Sequence, residues 1–86
     1  IMNIREKVAE AFVFINEACG FNPKTKTLNV ELSRQDIADA AGTTAEQVTR
    51  QLSDFEDENL ISRQKREIQI LDINGLENIV SNYKVE

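Results

Sequence analysis

The chain has no histidine, no tryptophan and a single cysteine, Cys19, among its 86 residues. Structural and catalytic zinc sites draw on clustered Cys and His, so no site of the usual spacing can be assembled, and one cysteine cannot close a disulfide within the chain. Cys19 lies near the end of an apolar helical segment, where a small thiol is expected to pack as a buried hydrophobe. Glycine is also scarce, and its three copies never gather into a loop able to cradle phosphates. Catalysis would then rest on surface carboxylates that nothing perturbs, so an enzyme is not expected, nor a metal or cofactor in this domain. No apolar run approaches the roughly 18 residues of a membrane span, and the N-terminus lacks a leader pattern. These absences point to a cytoplasmic protein without a membrane partner.

What remains fits one domain spanning residues 1–86, since a chain of this length buries a single modest core and shows no internal repeat. Ile4, Val8, Phe12 and Ile15 recur at three- and four-residue spacing, which predicts a first helix within residues 1–20, closed by Gly20. The only proline falls in a loop over 21–27, after which Leu28, Val30 and Leu32 alternate as a short strand able to pair with a later hairpin. Residues 75–82 read as a terminal helix, with Asn74 as its cap and Leu76, Ile79 and Val80 buried.

The densest information lies between Leu32 and Ile61. Ser33 and Thr44 stand where N-caps would start two short helices, Gln47 is placed to complete a capping box with Thr44, and Gly42 can take the positive φ of a tight turn between them. Ala38 is small where the two helices would cross. On the second helix, at about 100° per residue, Val48, Leu52 and Phe55 share one face while Glu46, Arg50 and Ser53 share the other, with Thr49 on its flank. A helix-turn-helix over 33–58 follows, and its polar face suits a major groove. An Arg fork matches guanine O6 and N7, a Glu accepts from cytosine N4, and Thr meets a thymine methyl. The plainer account, that Glu46 and Arg50 form a surface ion pair, rests on the same spacing.

Context favours the groove. Leu60 and Ile61 lead into the polar, basic segment Ser62 to Arg66, and alternation resumes at Glu67-Ile68-Gln69-Ile70-Leu71. This predicts a wing hairpin over 61–71 whose tip carries Arg63, Lys65 and Arg66 for phosphate contact. Thr44 and Ser53 add hydroxyls that can reach phosphate. The net charge of −5 opposes polyanion binding, but the acids Glu6, Glu10, Glu17 and Asp57 are expected on surfaces away from these arginines. The run Asp54, Glu56, Asp57, Glu58 lacks the glycine and spacing of a calcium loop and reads as a solvated helix end.

The order LSRQDIADAAG, TTAEQVTRQLSDFEDENLI, a basic hairpin and IQILDINGLENI resembles the C-terminal DNA-binding domain of the cyclic AMP receptor protein and fumarate and nitrate reductase regulator (Crp/Fnr) family, from about Arg5 to Ile79. The resemblance implies a mainly α fold with a small antiparallel sheet, a winged helix-turn-helix. It also implies sequence-specific binding of double-stranded DNA by a bacterial transcription regulator, with a recognition helix over 45–58. Glu46-Gln47-Val48-Thr49-Arg50 is similar to the family's recognition segment, so Glu46 and Arg50 take its base-reading positions and Ser33, Arg34 and Gln35 its phosphate-contacting ones. Some members carry an Arg where this chain has Ala45, which removes one guanine contact; Gln51 stands where an apolar residue is common. The family places this domain after a sensor and a dimerisation helix, neither found here in a chain that opens with Ile1. Homodimerisation through that helix, contact with RNA polymerase and an effector of the sensor are therefore expectations of the resemblance. A reading of another class is a winged-helix module whose acidic surface docks proteins.

Overall fold

The structure, a computed structural model, describes residues 3–20, 22–28, 31–64 and 67–84, with residues 82–84 as backbone only. Its elements run α1 (Ile4–Cys19), α2 (Arg34–Ala41), α3 (Ala45–Asp57), β1 (Ile61–Gln64), β2 (Glu67–Ile70) and α4 (Ile73–Lys84). This is the winged helix-turn-helix architecture, mainly α with a small antiparallel sheet.

α1 starts at a reciprocal cap: the Glu6 amide donates to Asn3 Oδ1 at 2.8 Å, and the Asn3 amide donates to the Glu6 carboxylate at 2.9 Å. Its apolar stripe buries Val8, Phe12 and Ile15 as the spacing predicts, and α2, α3 and α4 all pack on it. Gly20, at φ 73°, ends the helix with its amide on the Asn16 carbonyl at 2.7 Å. Cys19 is a correction. It is exposed, together with Glu17 and Ala18, because burial along α1 stops one turn before the helix does.

α2 and α3 meet at a turn built as the residues suggest. Gly42 adopts φ 74° and ψ 40°, and both its amide and that of Thr43 donate to the Ala38 carbonyl, at 2.8 and 3.0 Å. Ala38 is fully buried. α3 contributes Val48, Leu52 and Phe55 to the core, its opposite face staying in solvent. It ends at Asn59 in a left-handed conformation, φ 60°, where the Asn59 and Leu60 amides reach back to the carbonyls of Glu56 and Phe55. That six-to-one and five-to-two pattern reverses the chain directly into the wing.

β1 and β2 pair antiparallel with Ile61 opposite Ile70 and Arg63 opposite Ile68. The strand expected over Leu28 to Leu32 joins them through earlier residues: the Leu28 amide donates to the Ile68 carbonyl, the Ile70 amide to the Lys26 carbonyl, and Thr27 bridges Gln69. Val30 lies outside the described residues. The third strand is thus reduced to a bridge along the outer side of β2.

The terminal helix buries Leu76 and Val80 as expected, with Ile79 half-buried. It begins two residues earlier than the apolar spacing suggests, and its cap is Asp72 rather than Asn74, whose side chain is exposed. The Asp72 carboxylate accepts the Gly75 amide at 3.0 Å. Asn74-Gly75 is therefore helical, and Gly75 serves close approach: a Cβ there would lie 2.5 Å from Leu60 Cδ2.

Candidate nucleic-acid interface

Each half of the helix-turn-helix is anchored by a cap that also places a polar group on the surface. Ser33 Oγ accepts the Asp36 amide at 3.1 Å while Asp36 accepts the Ser33 amide at 3.0 Å, so α2 opens with a closed capping box. Arg34 and Gln35 follow it into solvent. Gln35 donates to Asp39 one turn on, at 2.9 Å, and the Arg34 side chain has no hydrogen-bond or ion-pair partner among the described residues. Thr44 Oγ1 accepts the Gln47 amide at 3.3 Å. The other half of the box expected at Gln47 does not form, because the Gln47 side-chain oxygen Oε1 accepts from the Thr43 hydroxyl instead.

On the outer face of α3, Glu46 and Arg50 meet at 3.4 Å with each side chain 79% exposed. Their spacing yields the surface pair, and it leaves both groups open. An exposed pair of this kind contributes little to stability, so exchanging it for base edges in a groove costs little. Thr49 and Ser53 are more committed. The Thr49 hydroxyl donates to the Ala45 carbonyl at 3.0 Å and the Ser53 hydroxyl to the Thr49 carbonyl at 3.2 Å. Each must rotate away from its helix to donate to DNA, whereas the Thr49 methyl carries no such tie.

Arg63 departs from its expected place on the wing tip. It sits opposite Ile68 within the ladder, and its guanidinium holds Glu56 of α3 through Nε at 2.9 Å and Nη2 at 2.6 Å. Alternation explains this: Arg63 is two residues from buried Ile61 and so points to the same face. Lys65 and Arg66, the other tip cations, lie outside the described residues.

The acidic end of α3 is also not merely solvated. Glu56 pairs with Arg63, and Glu58 accepts both terminal nitrogens of Arg5 at 2.5 and 2.7 Å, while Arg5 lies 5.3 Å from the Phe55 ring centre. The hydrogen bond from Arg63 holds the Glu56 carboxyl below its ordinary range, and that from Arg5 does the same for Glu58. Among the described residues no group of acidic or sulfur side chains is arranged to hold a metal. Gln51 is a structural residue that the pattern of the chain does not reveal: it is 8% exposed, and its Nε2 is buried without a hydrogen bond to the described residues. The signal for it is the family resemblance, in which this position is commonly apolar, together with its place one turn before Phe55.

A capped helix-turn-helix whose second helix offers Glu and Arg outward, followed by a hairpin, defines a DNA-binding domain of the kind used in transcription regulation. The Crp-like helix-turn-helix domain model matches residues 6–79, and the chain belongs to that family. Solved structures agree. The catabolite activator protein of Thermus thermophilus is similar at a TM-score of 0.78 and 23% identity, over 92% of this chain and 34% of that one. A transcriptional regulator of the CRP family from the same organism matches at 0.79 and 25% identity, over 94% and 42%. The CO-dependent transcription factor CooA from Carboxydothermus hydrogenoformans matches at 0.76 and 26% identity, over 88% and 36%. The chain thus spans between 34% and 42% of the length of these three regulators. No curated protein matches it significantly in sequence. None of these comparisons supports the protein-docking alternative. No helix among the described residues is long and apolar enough to cross a membrane.

Proposed function

We propose that this domain reads double-stranded DNA by placing α3 in the major groove, with Arg50 on guanine, Glu46 on cytosine and the Thr49 methyl against thymine. The observation that carries this reading is the open Glu46–Arg50 pair on a helix whose reverse face is core. Ser33, Arg34 and Gln35 at the start of α2, with Thr44 and Ser53, supply phosphate contacts around it, and Lys65 and Arg66 extend them along the wing. The domain is a binding module rather than an enzyme, works in the cytoplasm, and serves a regulator that pairs two copies through a separate dimerisation helix. Sensing an effector and touching RNA polymerase belong to that larger assembly.

The test is selection from a pool of random duplexes, followed by titration of the chain alone and of the chain fused to a two-stranded coiled coil. A single acidic module has few cations to offset its repulsion from DNA, so the fusion is expected to bind roughly 10²-fold more tightly through effective concentration. Its selected site should be an inverted repeat with half-sites about 34 Å apart. Nanomolar binding of one half-site by the chain alone in physiological salt, or indifference of the fusion to half-site spacing, contradicts the dimeric reader.

A further inference from the structure

The Glu56–Arg63 contact joins α3 to the wing at a place the base-reading scheme does not use. One carboxylate receives three donors from one residue. Besides Nε and Nη2, the Arg63 backbone amide points at Glu56 Oε2 from 3.3 Å. That amide lies on the side of β1 away from β2. The ladder shows why: Ile68, opposite Arg63, turns its own carbonyl outward to Leu28, so Arg63 is in a pair that exchanges no backbone bonds and must look to the other edge. Glu56 thus does for this edge what a neighbouring strand would do, while also holding the side chain, and both residues are about two-thirds or more covered, at 27% and 31% exposure.

We propose that Glu56 and Arg63 are positioning residues for DNA binding: together they latch the wing to the C-terminal end of α3, and Arg63 does not itself contact phosphate. The latch rests on the DNA-reading function proposed above. A hairpin of two four-residue strands has little stiffness of its own. Fixing it against the reading helix sets the distance between the groove contacts and the backbone contacts of the wing, so less ordering remains for DNA binding to impose. The charge assignment follows. A guanidinium already bound to a carboxylate through two nitrogens adds nothing to the free cation count of the wing.

Titrating the chain against its selected duplex over a range of salt concentrations separates a latch from a phosphate contact, because they predict opposite signs for Glu56→Gln. A latch predicts binding weaker by about threefold to thirtyfold, the span of couplings of this kind, with the salt slope unchanged. A phosphate-contacting Arg63 released from its acid would instead bind more tightly and steepen the slope by roughly 0.9. Glu56→Asp keeps the charge but withdraws the carboxylate by one methylene. It should weaken binding as Glu56→Gln does, and an unchanged affinity would reduce Glu56 to its charge and overturn the latch. Arg63→Gln should weaken binding without lowering the slope; a slope lower by about one would return Arg63 to the phosphates. Circular dichroism at the assay temperature identifies variants that have unfolded, and for those Glu56→Asp carries the comparison. A loss of thermal stability with intact affinity in the folded protein would also overturn the latch. If the chain fused to the coiled coil selects no duplex at all, the DNA-reading function fails and the latch with it. If it does select one and Glu56→Gln binds equally well, only the latch fails.

Discussion

The two ends of α3 carry ion pairs of the same two residue types in different settings. Near its start Glu46 and Arg50 belong to one helix, meet at 3.4 Å and stand 79% exposed. Near its end Glu56 and Glu58 reach other elements, meeting Arg63 at 2.6 Å and Arg5 at 2.5 Å, and all four are less exposed. Pairs of the first kind form and break in solvent at little cost, and those of the second hold separate parts of the chain together. One helix is therefore divided along its length, with a start available to a partner and an end committed to the fold.

This division can be broken most severely at Phe55, which is fully buried beneath the committed end. Phe55→Ala should cost about 3–5 kcal/mol in urea unfolding, the usual loss for a buried aromatic; a cost near zero would detach this end from the core. At the open end the effect should move from stability to recognition. Arg50→Ala is expected to cost about 1–3 kcal/mol on the preferred duplex and far less on random DNA, with Glu46→Gln relaxing one cytosine position. Unfolding of Arg50→Ala should stay within about 0.5 kcal/mol of the parent, as for surface changes in general. Equal losses on both duplexes would mean that Arg50 contacts phosphate. Thr44→Ala removes the acceptor for the Gln47 amide and should destabilise the domain by about 1 kcal/mol.

The smallest effect concerns acid. Arg63 and Arg5 hold the carboxyls of Glu56 and Glu58 below their ordinary range in the folded state. Depressed carboxylates bind fewer protons folded than unfolded, so their stabilisation is present above the unfolded value of about 4.3 and is lost as pH falls through the folded one. Urea midpoints measured downward from pH 5 should fall less steeply when both are replaced by Gln. Parallel curves would remove these pairs from the acid response.

Local chemistry makes most of the fold legible. Ser33, Thr44 and Gly42 act at the positions their side chains or lack of one favour, and the faces of α3 follow from spacing alone. Expectation and structure part where a distant partner decides the outcome. Asp72 rather than Asn74 caps α4 because Gly75 must come close to Leu60, a contact fifteen residues apart in sequence. Arg63 reads as a tip cation from its basic neighbours, although alternation with Ile61 already turns it inward, and Glu56 seven residues earlier gives it a partner. The acidic run reads as solvated because Arg5, near the other end of the chain, cannot be placed beside Glu58 by any local rule. Within the candidate interface, Glu46, Arg50 and Arg34 are readable as exposed groups, while the hydroxyls of Thr49 and Ser53 prove tied to their own helix.

Leu60 has a consequence for how the domain opens. Its amide closes the turn that ends α3, its carbonyl accepts the amides of both Leu71 and Asp72, and its side chain fills the space that Gly75 leaves at the start of α4. Three elements thus meet at one residue. The start of the terminal helix and the base of the hairpin are therefore expected to open together, and amide exchange at Leu60 should be slower than at the caps of Ser33 and Thr44, which open locally.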